Sequence, residues 1–446
     1  MAIAGTAAML GSRSSTSAEV QGAPLAASAA VAREAISASA PDAPPVAPTN
    51  APSVAPSVTS GPGTVAKRTA ASVSELLDLS QLTLAGDHYE AVLKDGRHAV
   101  LTLDPALQTY AEKLLAEARA PRGAIVAMAP DGRILALAGR RAEPGTDADG
   151  KRKKSTDAKD GTSDWRLATD VWAPAASVFK LVTASALVAA GVMPDDKVCF
   201  HGGLRSVLES NLHDDKHDSR CESLLYGVAH SNNAILGKLA FQKLEPPALV
   251  KFATDLGIAH GELGDLQGSA GAIEIPPARD LSFAQTAAGF AGSQLSAVGG
   301  ALLAATFADD GEQPVPRVIA SIDGAAVAAP ARRRAVPAIV AKAVSKMMLA
   351  TCEMGSAAKS FGRHQAIHVA GKTGTLTRTE PFYMEHSWFV GYAPAEKPEI
   401  VVSVVLGNPE NWHLRGHEAA RRLIDRAIGH DKDRTAKITS TRHVGW

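Results

Sequence analysis

The stretch APAASVFKLVTASALVAAG, residues 173–191, decides how the rest of the chain is read. Its alanines, valines and leucines have the spacing of a helix that packs into a core. Ser177 and Lys180 stand among them. Residues three apart share a helix face, so the hydroxyl and the amine are expected to touch. Burying an ammonium is costly unless it is paired or neutralised. The pair is therefore either the snorkelling edge of a plain helix or a nucleophile beside its base.

Outward from this helix the composition sets limits. The chain has 446 residues, enough for two or three domains of ordinary size. Its formal net charge is zero, so nothing in it calls for nucleic acid or an acidic surface as partner. Three cysteines do not make a disulfide scaffold in a chain this long. A membrane-spanning run is not visible, because the quoted stretch contains Lys180 and is broken by Gly191. The opening MAIAGTAAMLGS is apolar but lacks the positive flank of a signal peptide.

The first 66 residues are dominated by Ala, Pro, Ser and Val, with few charges and almost no aromatics. Such side chains are too small to fill a core and the prolines break helices, so 1–66 reads as a disordered or extended tether. Residues 67–98 form a connecting segment, 99–430 the main domain and 431–446 a polar tail. In the main domain, LTLDPALQ predicts a helix capped by Asp104 with Pro105 at its first position. GAIVAMAPDGRILALAG predicts a hairpin turning at Pro130-Asp131-Gly132. The polar loop 140–164 carries a basic cluster, KRKK, read as solvated. Helices dominate from residue 173 to about 360. HVAGKTGTLTR, HSWFVGYAP and EIVVSVVLGN are strand-like, and HEAARRLIDRAI closes as a helix. Strands early and late with helices between imply an α+β fold, with one sheet built from both ends plus a helical insert.

A serine hydroxyl is a poor nucleophile and needs an adjacent base; lysine serves only if its pKa falls, by desolvation or a neighbouring positive charge. Ser-x-x-Lys alone is weak evidence, as a second match, Ser356–Lys359 in GSAAKS, shows. What separates the two is company. Ser231-Asn232-Asn233 follows Ser177, and Lys372-Thr373-Gly374-Thr375 follows that. S-x-x-K, S-x-N and K-T-G in this order are the signature of the penicillin-binding proteins and serine β-lactamases. LTLDPALQ, the hairpin, the active-site helix, FAGSQLSAVGGALLAATFADDGEQPVPRVI and HSWFVGYAP also resemble a penicillin-binding transpeptidase domain, over roughly residues 99–428. Two departures stand out: Ala175-Ala176 replace a common proline-glycine, and the second motif reads S-N-N.

The resemblance implies a mostly antiparallel central sheet flanked by helices, with a helical subdomain. It implies Ser177 as nucleophile, Lys180 as acylation base, Ser231 as proton relay, and Asn233 holding the substrate amide and orienting Lys180. Lys372, Thr373 and Thr375 would receive a substrate carboxylate, Lys372 lowering the Lys180 pKa, with Gly374 letting substrate lie along the strand edge. Ser231 also reads as the N-cap of the helix that follows. No glycosyltransferase module is expected upstream of residue 99, and a large amino-terminal pedestal is absent or much reduced.

The implied activity is a periplasm-facing peptidoglycan DD-transpeptidase at the inner membrane, acting on stem peptides ending in D-Ala-D-Ala, inhibited by β-lactams and working with cell-wall synthesis machinery, without a cofactor. A β-lactamase, a DD-carboxypeptidase and a non-turnover β-lactam sensor or scaffold are the alternatives. A class A β-lactamase would need a deacylating glutamate, and Glu209 in ESNLH lacks the required order. HDDKHD, residues 213–218, imitates a metal site but is polar and loop-like, and no metal is assigned. Some penicillin-binding proteins carry a cysteine pair near this region, so Cys199 and Cys221 are either bridged or two separate thiols. Cys352 reads as a buried core thiol.

Overall fold

The hairpin expected at Pro130-Asp131-Gly132 supplies two neighbouring strands of the main sheet. Its strands are Arg122–Met128 and Ile134–Arg141. Gly132 lies at φ +93, where a Cβ would fall 2.4 Å from Val315 O, so only glycine fits this turn. The structure, a computed structural model, describes residues 72–143, 160–203, 205–259, 261, 263–362 and 366–441, with only the backbone from 430 onward. The expected tether 1–66 and the KRKK cluster lie outside the described residues.

The sheet has six strands in the order Ala370–Arg378, Met384–Ala393, Ile400–Asn408, Arg122–Met128, Ile134–Arg141, Thr162–Ser163, every neighbouring pair antiparallel. Early and late strands meet where Ile400–Asn408 pairs with Arg122–Met128. The fold is α+β, as the order of elements implied.

Successive strand side chains point to opposite faces, and the packing follows that period. Ala124, Val126, Val401 and Val405 join one core with the helices Lys180–Ala189, Ala297–Ala308 and Ala338–Glu353. Ile125, Ala127, Val402, Val404 and Leu406 join a second core. There they meet the helix Pro105–Ala118 and the closing helix Gly416–Thr441. Asp104 caps the former by accepting from Ala106 N and Leu107 N at 2.9 and 3.0 Å. With helices on both faces, Ile400–Asn408 is buried along its whole length. Its side chains are accordingly apolar apart from the buried Ser403 and Asn408. The closing helix runs through the boundary placed at 431.

The middle of the chain holds more strand than its helical appearance suggested. Ala173–Pro174 pairs with Ser293–Leu295, which pairs with Gly271–Ile273. This small sheet leads directly into the serine helix. Residues Thr83–Leu101 form three strands, the last paired with Ile319–Ile322. Lys197–Phe200 pairs with Arg220–Ser223, setting Cys199 opposite Cys221, and the two form a disulfide. The HDDKHD carboxylates have a different use from metal binding. Lys238, fully buried, places its ammonium 2.6 Å from Asp218 and 2.9 Å from Asp214. These carboxylates keep Lys238 charged, and the lysine in turn helps hold Asp218 at a pKa of about 2.

Candidate active site

The serine turn leaves the small sheet at Pro174 and enters a 3₁₀ turn, Ala176–Phe179, continuous with the helix Lys180–Ala189. Ala176 has φ +50. That left-handed conformation costs an alanine about 1–2 kcal/mol and a glycine nothing. The departure from proline-glycine thus falls on a position whose backbone favours glycine. Gly289 packs beneath it, where a Cβ would lie 2.2 Å from Ala176 O.

Lys180 is fully buried, and its Nζ meets three partners: Ser177 Oγ at 2.8 Å, Asn233 Oδ1 at 2.7 Å and Ala288 O at 2.6 Å. Burial, followed by the charge of Lys372, holds its pKa well below the ordinary lysine value. A neutral amine has two N–H donors and one lone pair. Asn233 Oδ1 and Ala288 O can only accept, so they take the two N–H groups. Of the three partners, only the Ser177 hydroxyl can donate to the lone pair. The geometry suits proton transfer from serine to lysine.

Ser231 precedes its helix rather than capping it. Asn232 is the N-cap of Asn233–Lys243, its side chain accepting from Ile235 N at 3.0 Å. The N-cap reading of Ser231 is therefore corrected by one residue. Ser231 takes φ +57 in the tight turn before the cap, and this turn directs its hydroxyl to Lys372. Lys372 Nζ donates to Ser231 Oγ at 3.1 Å and to Thr373 O at 2.9 Å. It is fully buried, which lowers its pKa to about 7.

Ser177, Ser231, Asn233, Thr373 and Thr375 line one cavity of about 670 Å³. Lys372 and Gly374 are not in its lining. Lys372 lies beneath Ser231. Gly374, between the two threonines, faces the serine turn, where an added Cβ would come within 3.3 Å of Ala175 O and Val178. Strand alternation separates these positions. Ser356, part of the second Ser-x-x-Lys match, also lines this cavity, its hydroxyl 2.6 Å from Thr373 Oγ1. No spacing signal could have found it, because Ser356 reaches the site through tertiary packing. A second cavity, of about 440 Å³, is lined by Arg378, Trp172 and His386 and holds no motif residue.

Among the described residues no helix is long and apolar enough to cross a membrane, and no group of three or more His, Cys, Asp or Glu is arranged to hold a metal ion.

Residues 123–427 match the penicillin binding protein transpeptidase domain. The chain is 27% identical over 338 residues to a probable peptidoglycan D,D-transpeptidase PenA of Neisseria flavescens, covering 72% of this chain and 78% of that protein. It is 26% identical over 257 residues to the peptidoglycan D,D-transpeptidase PbpA of Mycolicibacterium smegmatis, where the match covers 52% of this chain and only 49% of the relative. Among solved structures, the D,D-transpeptidase domain of a peptidoglycan glycosyltransferase from Eggerthella lenta superposes with a TM-score of 0.58 at 25% identity, covering 75% of this chain and 84% of that one. Penicillin-binding protein A of M. tuberculosis, solved as its imipenem acyl-enzyme complex, shares the fold with a TM-score of 0.58 at 23% identity over 75% of this chain and 80% of that chain. The chain belongs to the penicillin-binding protein transpeptidase domain family.

Proposed function

We propose that this protein is a peptidoglycan D,D-transpeptidase working through a serine acyl-enzyme in the periplasm. The observation that carries the reading is the Lys180 amine, buried beside Ser177 with its other two partners both carbonyl oxygens. Ser177 Oγ attacks the carbonyl of the penultimate D-alanine of a stem peptide as its proton passes to Lys180 Nζ. The amide nitrogen leaves with a proton relayed through Ser231, and terminal D-alanine departs. An amine of a neighbouring stem then attacks the ester, and Ser177 regains its proton.

Backbone N–H groups of Ser177 and Thr375 serve the developing oxyanion. Asn233 holds the substrate amide. Thr373 and Thr375 receive the carboxylate of the terminal D-alanine, whose negative charge favours the protonated form of Lys372 beneath Ser231, and Gly374 allows the strand to lie close against the serine turn. β-Lactams inhibit by acylating the same serine, and cell-wall synthesis machinery supplies the glycan strands.

Intact-protein mass after mixing with benzylpenicillin tests the reading. One adduct is expected, located on Ser177 and lost in Ser177→Ala. A persistent adduct in that variant would overturn the assignment. Adduct lifetime separates the activities: an ester lasting many minutes fits a transpeptidase, whereas turnover at several per second makes the protein a β-lactamase.

A further inference from the structure

The turn after the helix Ala338–Glu353 carries the second Ser-x-x-Lys match, and its serine is held in the active-site wall. A Cβ on Gly355 would fall 2.1 Å from Ala229 O, so glycine brings this turn against the end of the helix Leu224–Ala229. Ser356 N donates to the same Ala229 O at 2.9 Å, and Ala357 N donates to Thr351 O at 3.1 Å. These contacts hold the Ser356 backbone beside the second-motif loop, while its hydroxyl lies 2.6 Å from Thr373 Oγ1 on the third-motif strand. Lys359 is exposed and makes no bond to Ser356.

Two hydroxyls this close share one hydrogen bond, and the accepting hydroxyl keeps its own proton for a third group. Neither side chain bonds any other described residue. The remaining proton therefore belongs to the cavity. An anionic oxygen at Thr373 selects one direction: Ser356 donates to Thr373, and Thr373 donates to the anion. Charge-assisted bonds of this kind are stronger than neutral ones, and a donor already accepting a bond is polarised further.

We infer that Ser356 is a positioning residue that orients the Thr373 hydroxyl toward a carboxylate on the acyl donor. The inference rests on the reading of this cavity as an acyl-donor site. It makes Ser356 a determinant of which donors bind, separate from the chemistry of Ser177 and Lys180.

The test measures acylation by intact mass in the full chain, with benzylpenicillin and with its methyl ester, which masks the carboxylate. In Ser356→Ala the second-order constant for benzylpenicillin is expected to fall about five- to tenfold. The loss should appear in the half-saturating concentration rather than in the limiting rate. The slower reaction of the ester should stay within twofold of the parent, and Ser356→Thr should restore the benzylpenicillin constant. Equal losses with both compounds, a fall confined to the limiting rate, or no loss with benzylpenicillin would overturn the inference. A parent protein that forms no adduct with either compound refutes the acyl-donor reading, and the role of Ser356 falls with it.

Discussion

Replacing Lys180 by methionine separates the chemistry of the amine from its packing. The side chain is fully buried, and methionine fills nearly the same volume with a flexible apolar chain. What disappears is the lone pair facing Ser177 Oγ at 2.8 Å and the donors to Asn233 Oδ1 and Ala288 O. A positioned base contributes about 10²–10⁴ in rate, equivalent to about 2.7–5.5 kcal/mol of barrier. Loss of the amine's hydrogen bonds to two carbonyl oxygens costs about 1–3 kcal/mol each, partly offset because no amine has to be desolvated. The expected outcome is a folded Lys180→Met protein whose acylation by benzylpenicillin is at least a hundredfold slower. Stopped-flow mass labelling gives the rate, and circular dichroism reports the fold. A folded variant acylated within tenfold of the parent would refute the assignment of Lys180 as base. The parent supplies a second check. Because burial and Lys372 hold the Lys180 pKa well below 10.5, its acylation rate should reach a plateau far below that pH. A steady climb up to pH 10.5 would show an ordinary, exposed lysine.

Lys372 links the site to stability. Its folded-state pKa of about 7 lies below the ordinary 10.5, so between these values the unfolded chain holds a proton that the folded one lacks. Stability attributable to this group therefore rises with pH across that window, by up to about 1.4 kcal/mol per unit, and its full penalty is present below it. Urea titrations from pH 7 to 9 should show a steeper rise in the parent than in Lys372→Met, which keeps only the contribution of the other depressed lysine, Lys180; identical slopes would contradict it. Gly289→Ala places a Cβ 2.2 Å from Ala176 O at a φ of +87, so it should lower the thermal midpoint and slow Ser177 acylation together. A variant with parental acylation and melting would show that the serine turn is not packed on Gly289. The Cys199–Cys221 bridge spans a separation of 22 residues, for which chain entropy predicts about 3 kcal/mol. Reduction and alkylation should lower the unfolding midpoint accordingly, and two free thiols in non-reducing peptide maps of oxidised protein would refute the bridge.

The local and periodic features were legible from residues alone. Ser177 and Lys180 had to meet because three residues nearly complete a helical turn, and the Pro130-Asp131-Gly132 hairpin followed from turn chemistry between two apolar runs. The order of the three motifs pointed to the family, and strands at both ends of the domain implied a sheet joined across the insert. Tertiary structure decided everything that depends on distance between segments far apart in sequence. It brought Asn233 and Ala288 to Lys180, from 53 and 108 residues away, and so left the amine's lone pair to the serine. It put Lys372 under Ser231, turned Gly374 toward the serine turn, and gave the N-cap to Asn232. It also carried Ser356, whose pairing with Lys359 in sequence has no counterpart in space, to the hydroxyl of Thr373. A spacing rule fixes neighbours within one helix or strand, where backbone geometry repeats. Contacts between elements depend on how whole faces pack, and no single segment carries that information.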